Sequence, residues 1–367
     1  MKIKNYLTFI GEGNSEIILE YYCFDWDDNL LSMPTKINME HKVGEEWVLN
    51  PVSTEHFAEI RSDLENWRPV KDAYVEFGDF GPRGRNAFLD DIKSSMGGAV
   101  YPQKPLKAAP SWDKFIQCLE SGSIFSIITA RAHSDEVLRS GVEWVIDNYL
   151  SWEQKKNMYN NCLSFNYIFK TPGQYEPSNE DMSKHPLISA WLDQCGFYGV
   201  SNPDFVAIHK SGGAEKPEIG KEIAFKEFVK RVSDFANKLG VRFKLGVSDD
   251  DLKNVLHYKT VLSELKDLYP EAEFTVIDTS KGGYERTDII SNQKIGEATD
   301  SIQSPGMASS VMSFTSFNNM ASRLFPSNTA DNDPAAHIQR MATDYITKQS
   351  KDWTKNIKKK TSVGRKK

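Results

Sequence analysis

The sequence predicts an α/β protein whose parallel strands are buried between helices. Two observations carry this. First, Ile17–Phe24, Ile124–Arg131 and Arg242–Val247 are short, near-continuous apolar runs, the pattern of strands covered on both faces. Second, longer stretches of helical character, Ser134–Leu150, Lys216–Leu239 and Leu252–Leu268, are interleaved with them.

Taken in order, Asn5–Ile10 reads as a short strand closed by Gly11-Glu12-Gly13-Asn14. That loop begins like a dinucleotide fingerprint, but Glu16 stands where the third glycine belongs, so a dinucleotide loop is rejected. The strand Ile17–Phe24 stops at Asp25-Trp26-Asp27, with Asp28-Asn29 as its turn. Residues 34–110 read as an insertion. It holds a helix near Ser53–Asn66, with Ser53 or Thr54 as N-cap. A loop of aromatics, glycines and arginines (Tyr74–Arg85) and a short amphipathic helix (Ala87–Ser95) follow. Arg83 and Arg85 suit bidentate gripping of a phosphate; the plainer reading is a solvated surface loop. A helix over Ser111–Leu119 leads to the strand Ile124–Arg131, which ends in Thr129 and Arg131.

Residues 151–200 read as an accessory helical segment, with a helix from His185-Pro186 to Gln194. Asp204–His209 reads as a third short strand, Arg242–Val247 as the fourth and Glu273–Asp278 as a fifth at the sheet edge. Residues 1–281 therefore form the expected body. Beyond Lys281 the composition turns to Ser, Asn, Gly and Thr. The extension 282–367 carries an amphipathic helix over about 334–357, with Ile338, Met341, Tyr345 and Trp353 on one face, and a basic end. That end reads either as a tether for a protein or nucleic-acid partner or as a solvated terminus.

With 367 residues there is material for a real core. The net charge of −6 argues against a body that coats nucleic acid. Cys23, Cys118, Cys162 and Cys195 lack zinc or disulfide spacing, which points to a reducing compartment. No signal-peptide pattern or membrane-length apolar run is present, so a cytoplasmic location with no membrane partner is expected.

Four features carry chemistry. Asp25 and Asp27 stand at the carboxyl end of a strand, where open α/β sheets place ligands. Two carboxylates about 4 Å apart repel by roughly 4 kcal/mol at an effective dielectric near 20, which a cation or a shared proton offsets. Thr129 ends the second strand. Lys221, with Lys226 as second choice, stands in the first turns of a helix and can point back over the sheet edge. Asp249 and Asp250 end the fourth strand; a different register would use Asp251. Each has an ordinary reading: an acidic turn, a threonine cap, a solvated lysine, an N-cap acid cluster.

Their joint order resembles the haloacid dehalogenase (HAD) superfamily. Asp25-Trp26-Asp27-Asp28-Asn29-Leu30 is similar to its first motif, Asp-x-Asp-Gly-Thr-Leu, with Asp28 for glycine and Asn29 for threonine. Thr129-Ala130-Arg131 is similar to the second, with Ala130 for glycine. The resemblance spans about 17–278, without a counterpart for the two insertions. It implies a three-layer sandwich with a mainly parallel sheet. It also implies a phosphatase in which Asp25 is the nucleophile, Asp27 the acid/base, and Thr129 and the lysine hold the phosphoryl oxygens. Mg²⁺ would be held by Asp25, the Asp27 carbonyl and Asp249 or Asp250. Arg83, Arg85 and Arg131 would contact the phosphorylated substrate. Two other readings stay open: a HAD-fold assembly protein with little turnover, and a nucleic-acid end phosphatase tethered by the tail.

Overall fold

The computed structural model describes residues 18–163, 179, 181–214 and 216–290. The expected strand Asn5–Ile10 and the helix 334–357 with its basic end lie outside the described residues.

Among the described residues the main sheet has six strands: β1 (Ile18–Phe24), β5 (Phe125–Thr129), β6 (Gly196–Gly199), β7 (Arg242–Asp249), β8 (Glu273–Asp278) and β9 (Glu285–Ile289). Their order is β6-β5-β1-β7-β8-β9. All neighbours pair in parallel except β8 and β9, which are antiparallel. Alternation along β1 sends its side chains to opposite faces. On one face Tyr21 meets Phe243 of β7, and Phe243 meets Tyr269 beyond α9 (Leu252–Leu268). On the other, Phe24 and Phe125 pack against Phe115 of α3 (Trp112–Ser121). Phe125 also meets Trp191 of α6 (Pro186–Leu192). Helices thus cover both faces, as the apolar runs require. α4 (Asp135–Asn148), α5 (Trp152–Leu163) and α8 (Pro217–Leu239) are further helices of the body. Among the described residues no helix is long and apolar enough to cross a membrane.

The insertion contains more than a helix and loops. β2 (Ile37–Val43), β3 (Glu46–Val52) and β4 (Trp67–Pro69) form a second, antiparallel sheet in the order β3-β2-β4. Gly44 at φ 65° makes the β2–β3 turn, in the left-handed region that glycine enters without strain. α1 (Thr54–Ile60) packs on this sheet, around a separate apolar cluster of Ile37, Met39, Val52, Trp67, Ala73 and Phe77. α2 (Ala87–Met96) returns the chain to the main core.

Three expectations are corrected. Asp204–His209 is not a strand but part of α7 (Pro203–His209), started by Asn202, whose side chain accepts from the Asp204 N–H, and by Pro203 at the first position. The strand beside β5 is instead the four-residue β6. The body does not end at 281, and β8 is not the edge. β9 pairs along β8 from Phe274 to Asp278 and carries the exposed rim of the sheet.

Candidate active site

β1 lies between β5 and β7, so a crevice opens at its carboxyl end, where the strand order turns back. Asp25 sits there. Its Oδ1 accepts from the Trp26 N–H at 2.8 Å, and its Oδ2 accepts from Lys221 Nζ at 2.8 Å. Lys221 reaches over the sheet from the first turns of α8. It donates a second bond, also 2.8 Å, to Oδ2 of Asp249 at the end of β7. The helix start is seated by Gly220, where a Cβ would lie 2.9 Å from that of Val200; the bare backbone lets α8 approach. Asp249 is fixed on its other oxygen by the Asp251 N–H and Asn254 Nδ2, both at 3.0 Å.

Asp25, Asp249 and Asp250 bring carboxylate oxygens within 4.8 Å of one another. Burial, together with Asp249 and Asp27, pushes the Asp25 carboxyl up to about 7 against the pull of Lys221. Burial and then Asp249 and Asp25 push Asp250 well above the usual carboxylate range. Burial opposes the Lys221 charge, but Asp249 and Asp25 outweigh it and hold the ammonium charged. One ammonium therefore faces three carboxylates. The oxygen-only donor set suits a hard divalent cation, which would relieve the excess negative charge.

The turn after Asp25 is braced from within. Asp28 takes a left-handed conformation, φ 52°, the geometry that glycine most readily supplies. Its carboxylate accepts from the Thr54 hydroxyl of the insertion. Asn29 is fully buried, and its Nδ2 donates to the Asp25 carbonyl at 3.1 Å and to Ser248 Oγ at 2.9 Å. Its Oδ1 accepts from Ser111 Oγ and Thr279 Oγ1. Asn29 thereby ties the turn after β1, the end of β7 and the loop after β8 to the start of α3.

A comparison with protein-family models, curated proteins and solved structures finds no match.

The remaining candidates divide. Arg131 is buried and donates to both oxygens of Asp27, at 2.7 and 2.8 Å, and to Thr35 Oγ1 at 3.1 Å. Its guanidinium lies over the rings of Phe77 and Phe88, and its Nη1 has no hydrogen-bond partner among the described residues. Thr129 is buried at the end of β5, and its Oγ1 accepts from the Arg131 N–H at 3.3 Å. A cavity of about 600 Å³ joins Asp25, Asp27, Thr129, Arg131, Lys221 and Asp250 on the sheet side.

Three candidates lie outside this group. Lys226 points away, paired with Glu222 and near Glu264. Arg83 is bound to Glu76 and Asp91, and Arg85 to Glu136; neither lines the cavity. Their role is to fasten the insertion loop. Asp251, the other register for the acid cluster, caps α9 and pairs with Arg61 at 2.7 and 2.8 Å. Burial works upward on Asp251, but Arg61 and the Lys253 N–H hold its carboxyl below the usual range.

Arg61 and Asn254 were not singled out from the sequence, and Asn29 was read only as a turn residue and a motif departure, without its bonding role. Nothing local in Arg61 signals a partner 190 residues away. The signal for Asn29 was its place in the turn beside the acid pair, where its side chain reaches β7, the loop after β8 and the start of α3.

Proposed function

We propose that the chain is a HAD-like phosphoric monoester hydrolase that works with Mg²⁺ through an aspartyl-phosphate on Asp25. The observation that supports this best is the contact of Lys221 with both Asp25 and Asp249, beside Asp250. It gathers nucleophile, cation and acid cluster from three distant segments, in the order the motifs run.

Asp25, Asp249 and Asp250 would hold the metal, which supplies charge neutralisation for the phosphoryl oxygens. The chain's residues do the rest. The Trp26 N–H and Lys221 fix the Asp25 carboxylate, so it approaches phosphorus with little reorganisation. A bond forms from a carboxylate oxygen to phosphorus, and the ester P–O bond breaks. Lys221 and the Thr129 hydroxyl stabilise the transferring oxygens. Asp27 protonates the departing oxygen and then takes a proton from the water that cleaves the acyl phosphate. With both oxygens held by Arg131, Asp27 stands as an acceptor, ready for the water step. To deliver a proton it must release one guanidinium contact.

That clamp is also the observation that favours the second reading, a HAD-fold assembly protein of low turnover. The decisive experiment is hydrolysis of a generic aryl phosphate with and without Mg²⁺, with Asp25→Asn as control. Activity that needs Mg²⁺ and disappears in the variant supports the enzyme. Equal activity in chelator or in Asp25→Asn removes the covalent mechanism. No turnover in the intact chain favours the assembly protein.

A further inference from the structure

We infer that the site takes phosphate monoesters whose organic part is apolar and carries no second anionic group, a compact aromatic alcohol being the best fit. This rests on the phosphatase reading and adds the substrate class.

The two walls of the cavity contrast in character. The sheet side is charged. The wall supplied by the insertion is Ile37, Phe57, Ala58, Tyr74 and Phe77, with Thr54 and Arg61 at its polar end. Phe57 and Phe77 each stand edge-on to Tyr74. A phosphoryl group placed between Asp25 and Lys221 leaves its ester oxygen and organic group facing this surface. Polar hydroxyls would find few partners there, whereas an aromatic ring or branched alkyl chain loses water without loss of hydrogen bonds.

Charge excludes the other large classes. The three cations lining the cavity are committed: Lys221 to Asp25 and Asp249, Arg131 to Asp27, Arg61 to Asp251. Asp27, Glu218, Asp250 and Asp251 line it as well. Among the described residues lining the cavity, a second phosphate or a carboxylate on the substrate would meet this negative wall with every cation already paired to a carboxylate, Arg131 Nη1 being the one donor left over on a guanidinium that Asp27 holds. Bisphosphates and nucleic-acid ends are therefore poor substrates. The pairs Arg61–Asp251 and Thr54–Asp28 also fix the insertion over the sheet at the acid cluster and the Asp25 turn. The apolar wall is thus held at a set height above the charged one.

The test uses the intact protein with Mg²⁺ and two readouts. The first is calorimetric binding of two non-hydrolysable probes, methylphosphonate and 1-naphthylmethylphosphonate. The naphthyl probe is expected to bind at least about 10-fold tighter, in line with the selectivity apolar pockets achieve per group. The advantage should shrink to within about 3-fold in Tyr74→Ser, a half-exposed position whose ring also packs on Phe57 and Phe77, with circular dichroism and thermal melting showing that the variant is folded. The second readout is kcat/KM for 1-naphthyl phosphate, a sugar monophosphate and a sugar bisphosphate. Preference for the naphthyl ester, with KM rather than kcat rising in Tyr74→Ser, supports the inference. Equal affinity for the two phosphonates, or preference for the bisphosphate, overturns it while leaving the phosphatase reading intact. Naphthyl-selective binding without hydrolysis of any ester does the reverse: the apolar site stands and the phosphatase reading falls.

Discussion

Arg131 holds Asp27 by both carboxylate oxygens, from a position where its own side chain is 1% exposed. The pair joins the ends of β5 and β1 and presses a cation against Phe77 of the insertion. Removing one partner of a buried pair leaves the other uncompensated, which costs about 3–5 kcal/mol. Asp27 faces the cavity and is less buried, so the lower end applies to Arg131→Met. Urea unfolding of Arg131→Met is expected to show a loss near 3 kcal/mol. Arg131→Lys should recover part of it, because charge is kept but the fork is lost. Unchanged stability in Arg131→Met would mean that the pair is not formed in solution.

Asp27→Asn separates the acid/base role from the nucleophile. The amide oxygen can still accept from Arg131, but its NH2 faces the second guanidinium donor and the buried charge loses its counter-ion. The variant should therefore lose about 3–5 kcal/mol of stability, and turnover is compared under conditions where it is shown to be folded. Loss of a general acid/base lowers turnover by about 10²–10⁴-fold. Because Asp25 is untouched, the slow step becomes hydrolysis of the acyl phosphate. Rapid quench with labelled substrate should then reveal phosphorylated protein. Wild-type turnover in Asp27→Asn would move the proton transfer to another residue.

The carboxylate excess at Asp25 and Asp250 gives a pH signature. Both groups are raised in the folded state, so between about pH 4 and about 7 the folded metal-free chain binds more protons than the unfolded one. By linkage their contribution to stability falls as pH rises through that window. A cation bound to the ionised cluster reverses this slope. Stability measured in chelator should thus decline from pH 4 to pH 7 by more than in Asp25→Asn. With Mg²⁺ at about 100 times its dissociation constant, stability at pH 7 should rise by about 2.7 kcal/mol. In Asp250→Asn that Mg²⁺ response should be largely lost. A melting temperature at pH 7 indifferent to Mg²⁺ would rule out the cluster as a metal site.

The sheet residues legible in the sequence were those with strong local patterns. The run before Asp25, the run before Thr129 and the helix Leu252–Leu268 appear within a residue or two of where their apolar patterning put them. Asp25, Thr129, Lys221 and the acid cluster were found because each stands at the end of such an element. The small sheet was missed although Ile37, Met39, His41 and Val43 alternate before a glycine turn. Its strands are short and half exposed, so polar residues interrupt both faces. Asp204–His209 was misread because six apolar-rich residues have no period of their own; the Asn202-Pro203 start was the better signal. Pairings such as Arg61–Asp251, Arg83–Asp91 and Lys226–Glu222 depend on which helix face turns inward. For the first two, tertiary folding sets that; for Lys226, the i−4 glutamate was the available clue.

β9 gives the last expectation. The composition shift suggested a body ending at residue 281, but β9 covers the open edge of β8 with Glu285, Arg286 and Asp288, all exposed. β8 itself is apolar inside, with Phe274 and Val276 nearly fully buried. Cutting at 281 would strip this charged rim and leave the unpaired backbone of an apolar strand at the sheet edge, a template for association between copies. Cutting at 290 would keep it. Chains 1–281 and 1–290 should therefore differ: the longer remains monodisperse in light scattering, and the shorter aggregates or melts several degrees lower. Equal behaviour of the two would show that β9 contributes nothing to the body. If 1–290 also melts well below the full chain, residues 291–367 complete the core, and their apolar positions Ile338, Met341, Tyr345 and Trp353 are structural rather than a tether for a partner.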